Sequence, residues 1–177
     1  MIDPDAGRVL FGNYAADWIE ERPGLRPKTT ELYRYLLRRH LCPTFDAGSL
    51  AEIREPHVRR WRKDLLDAGV SAVTVAKAYR LLKAVFNTAV DDGLIRRNPC
   101  RIKGAGQEKS AERPVLTVAQ VYALAAAADE RYRALVLLAA FSSLRWGELA
   151  ALRRSGIDIE ARSVRVTRQL NERDGVA

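Results

Sequence analysis

The residues of this 177-residue chain with the clearest chemical potential lie in residues 144–149 (LRWGEL), where Arg145 and Glu148 stand three positions apart. Apolar stretches flank the motif on both sides, so the pattern predicts Arg145 in an apolar helical environment. An arginine keeps its charge there and needs a carboxylate partner or a bound anion. Residues three apart share a helix face, which makes Glu148 the candidate partner. The pair predicts either an anion-binding arginine held by an acid or a plain Arg–Glu pair stabilising a helix junction.

Apolar periodicity predicts the helices that would position such a site. In the first part of the chain it predicts four, over residues 9–21, 27–41 and 55–68 and from the Ser71 cap to an end at Gly93. Leu10 is expected on the buried stripe of the first helix, and Pro43 is expected to end the second. Ser71 is the expected N-cap of the fourth, which carries the longest apolar stripe.

Residues 98–114 lose this periodicity and gather Gly, Lys, Ser and Pro, a composition typical of a linker. Beyond them, Thr117 and Gln120 form a capping-box pattern, and further helices are predicted to residue 128, over 130–142 and over 147–153. Residues 156–158 are predicted to turn, and 163–167 (SVRVT) to form a strand with no partner in the chain. We therefore expect a mainly α fold with one or two short strands. The predicted domains are residues 1–103, a linker at 104–114, and residues 115–177.

Charge predicts a polyanionic partner. The net charge is +8 with a pI near 9.9, and the first 103 residues hold 19 Lys or Arg against 13 Asp or Glu. A charged outer face is expected of any amphipathic helix, but three predicted helices carry basic arcs and begin with small polar residues that suit phosphate binding. These features predict binding to double-stranded DNA. The candidate contact residues are Lys28, Thr29, Arg34, Arg38, Ser71, Thr74, Lys77, Arg80 and Lys83.

Other classes of site lack support in the sequence. Cys42 and Cys100 have no metal-ligand spacing and are read as reduced thiols, so no metal and no cofactor are expected. The first residues have no signal-peptide pattern, and no apolar run approaches the roughly 18–20 residues of a membrane span. We expect a cytoplasmic protein without a membrane partner.

Three further motifs carry a resemblance to a known family. They are PKTTELY at residues 27–33, the helical stretch at 71–90, and GLIRRNP at 93–99. With LRWGEL they resemble, in the same order, the tyrosine recombinases or phage integrases, whose first arginine motif reads G-L-R-x-G-E-L. Ser143 stands where that motif has its first glycine. The resemblance covers residues 9–170 and implies a SAM-like four-helix core-binding bundle followed by the helical start of a catalytic domain.

The resemblance also implies a chemistry and its limit. The family cuts DNA with a tyrosine nucleophile, two arginines, a histidine and a lysine. Arg145 would bind phosphate and Glu148 would support it, yet no Tyr, His or Lys follows Arg145. We therefore expect a C-terminally truncated integrase that cannot cut DNA alone. Its expected partners are double-stranded DNA and other recombinase protomers. Two alternatives are a standalone DNA-binding competitor or regulator of a full-length integrase, and a helical regulator unrelated to recombination.

Overall fold

The computed structural model describes residues 6–108 and 112–170. Contacts between residues divide the chain into two compact units, residues 1–111 and 112–177. The described part of the predicted linker, residues 104–108, lies within the first of these units. No helix among the described residues is long and apolar enough to cross a bilayer.

The first unit is a bundle of helices. A 3₁₀ turn at Ala6–Arg8 precedes α1 (Phe11–Glu21), α2 (Pro27–Leu36), α3 (Cys42–Phe45), α4 (Glu55–Asp67) and α5 (Ala72–Asp91). The prediction for Leu10 is wrong. Leu10 lies before α1, pairs with Ser49 in an isolated β-bridge, and keeps 43% of its surface exposed. Backbone pairing of this extended segment therefore takes the place of a first helical turn.

Pro43 does not end the second helix as predicted. After α2 the chain forms a π-helical turn at Leu37–Leu41 and continues directly into α3. Pro43 occupies one of the first two positions of α3, where a helix does not require the missing N–H. Because of the π-helical turn, the chain stays helical from α2 into α3 despite Pro43.

Helix α5 is the centre of the bundle. Ser71 caps it as predicted, because its Oγ accepts a hydrogen bond from the Thr74 amide at 3.1 Å. Ala76 and Leu81 are each only 2% exposed although they lie outside the predicted stripe. The helix is therefore packed on more than one side. Its buried residues are Val75, Ala76, Ala78, Tyr79, Leu81, Leu82, Val85, Phe86 and Ala89.

Aromatic side chains join the other helices to this centre. The Phe11 ring of α1 stacks on Phe86 with centroids 5.6 Å apart and meets Phe45 edge-on at 5.8 Å. Trp61 of α4 is 1% exposed and donates its indole N–H to the His40 carbonyl at 2.7 Å. This bond ties α4 to the π-helical turn.

The segment that follows α5 runs back along that helix. The Asn98 amide donates to the Lys83 carbonyl at 2.9 Å and to Asn87 Oδ1 at 2.7 Å. Further on, the Ile102 amide donates to the Tyr79 hydroxyl at 2.8 Å, and Ala105 is 4% exposed. The residues predicted to form a flexible linker are thus partly built into the bundle.

The second unit contains α6 (Val118–Ala127), α7 (Arg133–Phe141) and α8 (Trp146–Ala150), with 3₁₀ turns at Glu130–Tyr132 and Arg154–Gly156. The Thr117–Gln120 capping box is present. Two predictions are wrong here. Residues 157–158 are not a turn but strand β1 (Ile157–Asp158), and β2 (Ser163–Val164) has a partner because it pairs antiparallel with β1. A short hairpin satisfies the strand that appeared isolated in the sequence.

Burial in this second unit is slight. Among its described residues the buried apolar side chains are Val121, Ala125 and Leu149, and none belongs to α7. Large apolar side chains remain exposed, including Trp146 at 69% and Phe141 at 54%. The described part of the unit therefore shields little apolar surface from water.

Candidate nucleic-acid interface and phosphate site

The predicted DNA-contact residues all lie on α2, the π-helical turn and α5. Lys28 and Thr29 are in the first turn of α2, Arg34 is further along it, and Arg38 is in the π-helical turn. Helices α2 and α5 pack against each other. The remaining candidates follow α5 from its cap, in the order Ser71, Thr74, Lys77, Arg80 and Lys83.

Two of the predicted cations are already paired. Arg34 donates two hydrogen bonds to Glu20 of α1, at 2.8 Å and 2.6 Å, and this pairing lowers the pKa of Glu20. Arg80 forms an ion pair with Glu108 and reaches the Gly106 carbonyl at 3.5 Å. Both pairs are solvent-exposed and easily exchanged, so a phosphate would have to compete with a carboxylate at each.

Four of the predicted cations have no ion pair with any described residue. They are Lys28, Arg38, Lys77 and Lys83. Ser71 and Thr74 serve the helix end instead, since their hydroxyls lie 2.8 Å apart and Ser71 caps the Thr74 amide. Free cationic charge on this surface therefore comes from the packed helices α2 and α5 and from the π-helical turn that follows α2.

Helix α4 carries a third basic arc, and two of its four cations are paired within the helix. Arg59 pairs with Glu55 at 2.7 Å, and Lys63 pairs with Asp67 one turn later. Such i,i+4 pairs need no external partner. The α4 arc differs from the other two in that both of its ion pairs lie within one helix, whereas Arg34 and Arg80 pair with carboxylates of other segments.

Arg145 is not in an apolar environment, contrary to prediction. It occupies the N-cap position of α8, and its side chain is 85% exposed. The backbone N–H of Arg145 donates to Glu148 Oε2 at 2.9 Å, and its guanidinium donates to Oε1 at 3.2 Å. The hydrogen bond from the Arg145 amide is the main reason that the pKa of Glu148 is lowered. Glu148 thus holds both the backbone and the side chain of Arg145 while leaving the guanidinium open to an anion.

Two glycines let a neighbouring extended segment approach this motif. A Cβ on Gly147 would lie 2.5 Å from the Leu170 carbonyl oxygen, and the Leu170 amide donates to the Gly147 carbonyl at 2.7 Å. Gly156 makes the same close approach to Arg165, whose amide donates to its carbonyl at 2.8 Å. The glycine of the motif is therefore required by backbone contact.

This approach brings together arginines that sequence analysis did not single out. Arg153, Arg165 and Arg168 line a cavity of about 270 Å³ that Glu148 also lines. None of the three has an ion pair with a described residue. Their spacing gave no signal, because the hairpin that aligns them was not predicted. No group of His, Cys, Asp or Glu among the described residues is arranged to hold a metal ion.

Comparisons with known proteins agree with the bundle and the motif. The model of the phage integrase central domain matches residues 11–105, more than half of the chain, so the chain belongs to the phage integrase family. The phiRv2 prophage integrase of Mycobacterium tuberculosis is 38% identical over 161 residues, covering 89% of this chain and 42% of its own length. The integrase of Mycobacterium phage D29 is 37% identical over 168 residues, covering 92% and 43%.

Solved structures show the same fold. The Tn1549 transposon integrase in complex with circular intermediate DNA superposes with a TM-score of 0.79 at 25% identity, over 93% of this chain and 56% of that one. A lambda integrase dimer bound to a core site gives a TM-score of 0.72 at 19% identity, over 87% and 45%. The chain spans less than half the length of the phiRv2 and D29 integrases and about half of the solved chains.

Proposed function

We propose that this chain binds duplex DNA through α2, the π-helical turn and α5, and that it acts in site-specific recombination as part of an integrase. The observation that carries the proposal is the set of unpaired cations Lys28, Arg38, Lys77 and Lys83 on elements that pack together. Clustered cations without carboxylate partners attract a polyanion strongly and in a salt-dependent way. The solved Tn1549 relative, which is a DNA complex, supports the same assignment.

In the second unit we propose that Arg145 binds a DNA phosphate. Its guanidinium is exposed, fixed in charge and oriented by Glu148, and a planar guanidinium suits phosphate oxygens. Fixed positive charge at a phosphate stabilises the negative charge that develops during phosphoryl transfer. We assign Arg145 phosphate binding and no further catalytic step.

The remaining expectations belong to the same proposal. The domain boundaries at residues 103 and 115 stay predictions, as do association with other recombinase protomers and a cytoplasmic location. The protomer association and the location follow from the role in DNA recombination, because that role requires access to chromosomal DNA and the assembly of several protomers on it.

Salt-dependent binding tests the proposal. A fluorescent duplex is titrated with the full chain and with a Lys28→Gln, Lys77→Gln, Lys83→Gln variant. The slope of log K against log salt should fall in magnitude by about 2–3 in the variant, since each phosphate contact contributes about 0.9. The matched control is Arg59→Gln, Arg60→Gln, Lys63→Gln on α4, which removes the same charge and should leave the slope nearly unchanged. Absence of wild-type binding at ~50 mM salt, or equal effects of both variants, would refute the proposal.

A further inference from the structure

A cleft of about 840 Å³ lies at the end of the bundle where α5 finishes. Its walls are Gly7 of the first 3₁₀ turn, the turn at residues 50–51, the start of α4, and residues from the segment 94–101 that follows α5. Leu50 and Ile53 in its lining are 1% and 6% exposed, so the base of the cleft is firmly packed. It is the largest of the cavities described among the residues that the structure covers.

Four exposed arginines surround this cleft, namely Arg54, Arg96, Arg97 and Arg101. None of them has an ion pair with a described residue. The one carboxylate in the lining, Glu55, is bonded to Arg59 at 2.7 Å. Four neighbouring guanidiniums that always carry charge repel one another, so this arrangement opposes folding unless an anion offsets it.

The arginines stand on a rigid base. Ile95 is 8% exposed and Cys100 2% exposed, and the Cys100 amide donates to Asn98 Oδ1 at 2.7 Å. Burial raises the pKa of the Cys100 thiol to about 12, in keeping with an inert packed side chain. A backbone fixed in this way reduces the entropy that the arginines lose when they bind a ligand.

The cleft is continuous with the proposed DNA-binding surface. Asn98 lines the cleft and donates its side-chain amide to the Lys83 carbonyl at 2.9 Å. Lys83 is one of the unpaired cations of α5. The unpaired positive charge therefore continues from α5 into the cleft, which favours one extended polyanion over a separate small ligand.

We propose that this arginine cleft binds the phosphate backbone of the same DNA duplex, beyond the part that α5 contacts. The inference rests on the proposed DNA-binding function and adds a second contact surface to it. Arginine forks bind phosphate oxygens in pairs, and such contacts fix the position of a protein on DNA without reading its sequence. The surface predicts a longer DNA footprint than α2 and α5 alone would give.

The test uses the full chain carrying Arg96→Gln, Arg97→Gln and Arg101→Gln, on a duplex of about three helical turns. The salt slope should fall by about 2–3, and hydroxyl-radical protection should be lost at one end of the footprint only. The α4 variant that removes three cations is the matched control and should keep both. Replacing the same three arginines with lysine should keep most of the slope, because the charge remains.

The outcomes separate this inference from the proposed function. In one outcome the wild-type chain binds DNA and the Lys28→Gln, Lys77→Gln, Lys83→Gln variant binds it more weakly. If the cleft variant then keeps the salt slope and the full footprint, the cleft proposal alone is overturned. A fluorescent Asp- and Leu-rich peptide is titrated in the same way. If the cleft variant loses binding to this peptide but keeps DNA binding, the cleft proposal is overturned in favour of an acidic protein partner. A melting curve by circular dichroism checks folding. If the triple variant is unstable, the single Arg101→Gln variant decides the matter, because loss of one phosphate contact should lower the slope by about 0.9.

Discussion

Ser143 holds a left-handed backbone conformation, with φ at 55°, two residues before Arg145. An L side chain is strained there, whereas glycine is not. We expect Ser143→Gly to stabilise the turn between α7 and α8 by about 0.5–1 kcal/mol. Slower hydrogen exchange at the Glu148 and Leu149 amides, which bond to the Arg145 carbonyl, would measure the gain.

The neighbouring serine provides the control. Ser142 has φ at −98°, an ordinary value, and its hydroxyl donates to the Leu138 carbonyl. Ser142→Gly should therefore loosen the same turn, because it removes a hydrogen bond and adds backbone freedom. Equal responses to the two substitutions would show that the conformation of Ser143 imposes no strain.

His40 makes the first unit sensitive to acid. The side chain is 7% exposed, its Nε2 has no hydrogen-bond partner among the described residues, and the Tyr35 ring meets it edge-on. Burial, with a smaller contribution from Arg39, lowers the pKa of His40 in the folded state. The unfolded chain then binds the proton more readily, so stability is present above pH ~6.5 and is lost as pH falls below it.

Denaturant unfolding between pH 7 and pH 5 measures this effect. The slope from one proton cannot exceed about 1.4 kcal/mol per pH unit. His40→Gln should flatten the dependence, and His57→Gln on exposed α4 is the control that should retain it. An unchanged pH dependence in the His40 variant would place the acid-sensitive group elsewhere.

At the scale of elements, the segment after α5 governs how much charge α5 can present. Glu108 pairs with Arg80, and the backbone of Gly106 packs against the same side chain. DNA phosphate and Glu108 would therefore compete for one guanidinium. We expect Glu108→Gln to tighten DNA binding at low salt and to increase the magnitude of the salt slope by about 1.

The corresponding change in α4 is the control for this prediction. Asp67→Asn frees Lys63 in a similar exposed pair, but Lys63 lies outside both proposed DNA-binding surfaces. This control substitution should change the slope of log K against log salt much less than Glu108→Gln does. If both substitutions tighten binding equally, the effect reflects net charge and Arg80 has no special position.

The long elements were predictable, and their pairings were not. The cap at Ser71 and the apolar repeat of α5 are local patterns, so the sequence alone located that helix. Arg34 and Arg80 bind carboxylates that lie 14 and 28 residues away in the sequence, and helical periodicity does not relate residues so far apart. The exposure of Arg145 was missed for the same reason, because apolar neighbours in sequence did not become neighbours in a core.

For the whole molecule, the two units differ sharply in how much they bury. The first has a continuous core around α5, whereas the described part of the second buries three apolar side chains. Opening of a segment requires less free energy where fewer contacts are lost. Brief digestion with a nonspecific protease should therefore cut first in the exposed residues 112–117 and then degrade the second unit.

The predicted linker spans residues 104–114, but the structure limits the expected first cut to residues 112–117. Residues 104–108 lie within the predicted linker, yet Ala105 is buried and Glu108 is paired with Arg80, so cleavage there should be slow. Mass spectrometry of the earliest fragments distinguishes the two positions. A first unit degraded before the second would contradict the difference in burial.

The exposed apolar side chains of α6 and α7 have a consequence for the lifetime of this chain in a cell. Chaperones and proteases recognise apolar surface that stays open to water, and a modest deficit in stability can change abundance several-fold. Tyr122, Leu124 and Phe141 remain about half exposed in the folded chain itself. A protein surface that covers these side chains would thus slow degradation of the second unit.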